Sequence, residues 1–218
     1  MNASPTDELI HRLGARGAPV RPLAAPWLRG LLWGTGALAY LVVVDWVWMR
    51  TTTITLTLDR RFLIEQAAAL LTGLTAACAA FTTVVPGRSR RLAWWSLAPL
   101  ALWLLSVGRQ CVQDWSASGV PALLPHWGCF AATVAVGLVP ALVIVLMLRR
   151  GAPLTPTLTT ALAGVAAAGL ANFGVRFVHA MDVSFVVLTW HLAAVFALCL
   201  LVTRFGDHVF SWRKIPSS

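Results

Sequence analysis

Six side chains capable of metal-binding or thiol chemistry fall in two stretches of the sequence: Cys111, Asp114, His126 and Cys129 in the first, His179 and Asp182 in the second. Thiolate and imidazole are ligands for soft and borderline metal ions, and two thiols on an oxidising side of a membrane can instead join as a disulfide. Both possibilities stay open from spacing alone, because Cys111 and Cys129 are separated by a loop. A structural role is the alternative: Cys is often simply a small buried residue. Arg176, near the same positions, could form an ion pair with Asp45, Glu65 or Asp182. Cys78 and Cys199 lie apart from this group, deep in apolar segments, and read as packing residues. His191, beside Trp190 in an apolar run, reads as hydrogen-bonded to a neighbouring helix. HExxH, GxSxG and P-loop motifs are absent, as are paired carboxylates within one apolar segment. Binding rather than catalysis is therefore expected, with no resident cofactor. No CxxC or Cys/His finger spacing occurs either.

The elements that must position these groups follow from composition. Of 218 residues, 58% are hydrophobic and 11% charged, against roughly 25% charged in soluble domains. Disorder is excluded, and too few polar groups remain to coat a soluble globule. A helix needs about 20 apolar residues to cross a hydrocarbon core of roughly 30 Å. Six stretches qualify: Leu28–Trp48, Phe62–Val85, Leu92–Val107, Trp127–Leu148, Thr157–Val178 and Phe185–Phe205. The third is the shortest and contains Pro99, which is expected to kink it. The Ala/Gly/Leu/Val richness fits helices rather than the alternating strands of a barrel. The expected class is all-α: a polytopic membrane bundle of six transmembrane helices with a short cytoplasmic N-terminal tail. The boundaries are 1–26 for the tail, 27–206 for the membrane domain and 207–218 for a C-terminal tail.

Charge sets the orientation. The formal net charge is +9, and the bases occur in short clusters between apolar runs. Membrane topology explains them better than nucleic-acid binding does. Twelve Lys/Arg fall on the side shared by both termini and five on the other, which places both termini in the cytoplasm. Cys111, Asp114, His126, Cys129, His179 and Asp182 then all fall at the extracytoplasmic ends of spans three to six. Trp27, Trp94, Trp95, Trp127 and Trp212 lie near predicted interfaces. The opening segment lacks a secretory signal pattern, since Asp7 and Glu8 stand where positive charge is needed. Small residues at four-residue spacing (Ala69, Gly73, Ala77; Gly30, Gly34; Gly164, Ala168) let helix backbones approach closely.

The tail itself is patterned. Ser4 suits an N-cap, Pro5 the first helical position and Asp7 a capping-box partner. Leu9, Ile10 and Leu13 share one face, and Gly14 and Gly17 are expected to end the helix. A helix of this length is marginal alone in water. Its apolar face can lie on the inner leaflet, aided by Arg12 and Arg16, or fold into a groove on a soluble partner.

In order along the chain, these features resemble the NrsF-type anti-sigma factors, six-helix inner-membrane proteins of proteobacteria. The resemblance is carried by Asp7–Ile10 with Pro19–Arg21, Pro86-Gly87 after span two, Cys129-Phe130 opening span four, the run Leu148–Pro153, the Gly/Ala-rich fifth span and Trp190-His191. It implies a bacterial inner-membrane protein that holds an extracytoplasmic-function sigma factor through its tail, away from RNA polymerase. The contact residues it implies are Asp7, Leu9, Ile10, Pro19, Val20 and Arg21, to which the helical face adds Leu13. It also implies regulation of transcription in a stress response, through a pair of extracytoplasmic cysteines linked to metal or redox signals. Cys129 matches the first of the pair. The second falls where this chain has Ala180, so Cys111 as substitute partner, or His179 with Asp182, would have to complete the sensing site. Membrane lipid and the sigma factor are the implied partners. A small membrane transporter or channel for a metal or other solute, using Arg176 or His191, is the competing reading. The lack of an inverted repeat speaks against it.

Overall fold

The computed structural model describes residues 5–16, 23–50, 59–88, 90–118, 127–151, 155–178 and 184–209. They form α1 (Pro5–Arg16), α2 (Pro26–Met49), α3 (Arg60–Thr83), a short 3-10 segment (Arg90–Ser96), α4 (Leu97–Ser118), α5 (Trp127–Leu148), α6 (Pro156–Val178) and α7 (Ser184–Val209). Among the described residues there is no strand. Five of the six long helices are long and apolar enough to cross a membrane: α2, α3, α5, α6 and α7.

The exception corrects the third expected span. Leu92–Val107 is not one helix. Its first residues form the 3-10 segment, which carries Trp94 and Trp95 exposed. The helix proper starts at Leu97 and continues to Ser118, taking in Arg109, Gln110, Gln113 and Asp114, and its polar second half explains why it falls outside the apolar set. Pro99 does not interrupt the middle of a span. It sits in the first turn of α4, where a missing N–H leaves no helical bond unmade.

The bundle is organised around α6, which packs on α2, α3, α5 and α7, while α4 packs on α3 and α7. Composition explains the centre. Ala163, Ala166, Ala167, Ala168, Gly169 and Ala171 leave α6 thin enough to be surrounded, and all are buried. The closest approach is to α3: a methyl group placed on Gly169 would lie 2.8 Å from Gly73 N and 3.0 Å from Ala69 O. Small residues at helix contacts are what permit such backbone proximity. Gly30 likewise receives Cys78 and Gly164 receives Cys199, so these two thiols fill glycine notches between helices. Large side chains complete the core, with Trp33, Leu41, Phe81, Ile144, Leu148, Leu170 and Leu198 fully buried.

Local signals fix the helix ends. The Asp59 carboxylate accepts from Phe62 N at 2.7 Å and caps α3. After α3, Pro86-Gly87 turns the chain: Gly87 has φ +80°, and Arg88 N donates to Val85 O at 3.4 Å. That left-handed position suits glycine. Of the two glycines expected to end the tail helix, Gly14 lies inside it and Gly17 lies outside the described residues. α1 continues to Arg16, because an isolated helical glycine costs only about 1 kcal/mol relative to Ala.

Candidate functional site

One end of the bundle holds a buried thiol, imidazole and amide contributed by three helices. Cys129 lies in the first turn of α5, Asn172 near the end of α6 and His191 in α7. Cys129 Sγ is 3.0 Å from His191 Nε2, and His191 Nδ1 is hydrogen-bonded to Asn172 Oδ1. Cys129 is 3% exposed, His191 0% and Asn172 4%. An amide oxygen only accepts, so it fixes the proton on Nδ1 and leaves the Nε2 lone pair facing the thiol. Thr133 Oγ1 donates to Cys129 O at 2.9 Å, one turn further along α5. Trp127, Phe130 and Trp190 pack edge to face over this end, with Trp127 and Trp190 centroids 5.1 Å apart.

Beside it sits an ion cluster. The Glu65 carboxylate is buried and is 3.0 Å from Arg61 Nε and 3.5 Å from Arg176 Nη2. Ser106 Oγ donates to it at 3.4 Å. The Arg176 guanidinium also lies over the Phe62 ring, 5.9 Å from its centroid. Of the carboxylates open to Arg176 from sequence, Glu65 pairs with it, and Asp182 lies outside the described residues. The cluster ties α3, α4 and α6 together, and a buried charge needs such partners to be tolerated.

The opposite end joins α2 to α5. The Arg29 guanidinium donates to Met147 O, one of the last α5 carbonyls, which lack helical partners. It also stacks over Phe81, 4.5 Å from the ring centroid. Trp33 Nε1 donates to Pro140 O at 3.0 Å. Met147 stands about 27 Å from Cys129 along the helix at 1.5 Å per residue. The first turns of α2, which follow the tail, are therefore fastened to the helix that carries the thiol at its far end.

The tail helix contributes no apolar side chain to the core. Leu9, Ile10 and Leu13 are 56%, 61% and 65% exposed, and Asp7 is exposed beside them. Glu8 and Arg12 form a surface ion pair at 2.6 Å. Pro19, Val20, Arg21, His126, His179 and Asp182 lie outside the described residues. Cys111 is buried on α4 and Cys129 on α5, and neither is in a disulfide. The partner found for Cys129 is thus the imidazole, and among the described residues no group of three metal-binding side chains forms. His191 is bonded to neighbouring helices, as its position in an apolar run suggested. Asn172 was missed. The available signal was an amide in an otherwise Ala/Gly-rich apolar helix, where a polar group needs a partner.

The architecture is that of a helical bundle compatible with a multi-pass membrane protein. A family model described as negative regulator of sigma F (NrsF) matches residues 13–212. The chain belongs to this family, whose name gives negative regulation of a sigma factor as its role. Leu13 is the first matched residue; Asp7, Leu9 and Ile10 precede the matched segment. No curated protein and no solved structure matches the chain.

Proposed function

We propose that this protein is a membrane-anchored anti-sigma factor that acts by binding, without catalysis. In this reading residues 27–206 span the bacterial inner membrane, with residues 1–26 and 207–218 in the cytoplasm. The tail holds an extracytoplasmic-function sigma factor through Leu9, Ile10 and Leu13, with Asp7, Pro19, Val20 and Arg21 completing the contact. A metal or redox signal reaching Cys129 at the outer end weakens that grip. The family match carries the reading, and the exposed apolar face of α1 supports it. The excess of Arg on the tail's side supports the orientation.

The coupling has a physical route in α5, which bears Cys129 at one end and meets Arg29 and Trp33 of α2 toward the other. A signal releases the partner only to the extent that it prefers one arrangement of the bundle over another. A preference of about 1–3 kcal/mol changes affinity about 5–150-fold, enough to switch a sigma factor held near its Kd.

The test is genetic. Deleting residues 1–26 should turn the sigma-dependent genes on permanently while the protein stays in the membrane. Persistent repression by the truncated protein would contradict the reading. Cys129→Ser should abolish induction by thiophilic metals and oxidants; unchanged induction would remove this thiol from the sensing step.

A further inference from the structure

We propose that His191 is the proton acceptor that makes the buried Cys129 thiol reactive, and that Asn172 is the residue that positions it. This inference rests on the reading of Cys129 as the sensing thiol and names the chemistry by which it responds. The thiol is the weak form and the thiolate the nucleophile and ligand, and an adjacent base converts one into the other. Nε2 lies 3.0 Å from Sγ, within reach for direct proton transfer. Asn172 Oδ1 holds the proton on Nδ1, so the ring presents a lone pair rather than an N–H to sulfur. The same oxygen stays in place to accept from the imidazolium once the proton has moved. Cys129 also lies in the first turn of α5, where the positive end of the helix favours a developing negative charge.

The step balances as follows. When a thiophile arrives, sulfur forms the new bond and the thiol proton passes to His191 Nε2. With iodoacetamide as probe, the S–C bond forms, the C–I bond breaks and iodide leaves with the bonding pair. The bond from Sγ to Nε2 is lost, and with it one polar tie between α5 and α7. This arrangement also accounts for a thiol working without a second cysteine at position 180, where the chain has Ala.

The test uses the full-length protein in membranes, with alkylation read at each cysteine by mass spectrometry. Cys129, although buried, should react at least as fast as the half-buried Cys78 and Cys199. His191→Gln should slow it about tenfold or more without changing the rates at the other cysteines. Nitrogen-15 shifts of His191 in the unmodified protein should show Nδ1 protonated and Nε2 bare, and Asn172→Ala should release that preference and slow alkylation. An inert Cys129, an unchanged rate in His191→Gln, or a neutral ring with its proton on Nε2 and Nδ1 bare would each overturn the proposal. The tautomer measurement needs no variant, so it decides even where a substitution fails to fold. The sensing reading fails separately: it falls if Cys129→Ser leaves induction unchanged, whatever the alkylation rates.

Discussion

The two ends of this chain's logic are built in opposite ways. At the Cys129–His191–Asn172 cluster, every named polar group meets another from a different helix, in a place closed to solvent. In α1, the apolar residues Leu9, Ile10 and Leu13 meet nothing of the bundle's core and stand more than half exposed. The first region is complete in itself, and disturbing it means breaking bonds between helices. The second is incomplete, and its apolar face gains burial only from another molecule or a surface. On the proposed function, a signal-responsive site and a partner-gripping segment call for that contrast: one stores a defined arrangement, the other waits to be covered.

Substitutions that separate the two regions test the contrast. The largest effect is expected at the helix crossing. Gly169→Leu forces a side chain into Gly73 and Ala69 backbone and should destabilise the bundle by about 3 kcal/mol or more, read as a lower Tm in detergent. Glu65→Gln leaves Arg176 beside a neutral partner and should cost about 3 kcal/mol in the same assay; a change under a third of that would mean the pair is screened. Leu13→Asp should leave Tm unchanged yet weaken sigma capture by about 2 kcal/mol, the scale of an interface anchor. Loss of bundle stability in that variant would show that α1 packs on the bundle after all. The smallest effect is at Gly14, which has nothing within 4 Å of an added methyl. Gly14→Ala should favour the tail helix by about 1 kcal/mol, visible as increased helicity of a residue 1–26 peptide.

How much of this was legible in the sequence depends on the distance over which the determining forces act. The Trp127–Leu148 helix has the expected bounds, and α2, α3, α6 and α7 lie within a few residues of theirs, because hydropathy over a span is a local sum. The small-residue stripes were legible for the same reason: Gly73 and Gly164 announce close approach by their spacing. The stretch around Leu92 was misread because Leu, Ala and Trp raise hydropathy equally in a 3-10 turn and in a spanning helix. Of the glycine pair expected to end α1, Gly14 is passed over, because glycine's helix penalty is small against the continuing ladder, and the helix runs to Arg16. The thiol cluster was legible only in pieces. Cys129 and His191 stood out individually, but they are 62 positions apart and joined through Asn172, 19 positions before His191. Which imidazole meets which thiol is set by three helices packing together, and no local pattern encodes it.

The central claim is that the amino-terminal helix grips a sigma factor directly. The most direct measurement is a titration of a labelled peptide of residues 1–26 with a purified extracytoplasmic-function sigma factor from the same genome, in buffer free of lipid. The account predicts saturable binding that Leu9→Asp with Leu13→Asp abolishes. Partition of the peptide into anionic vesicles, with no binding to any such sigma factor, would contradict it.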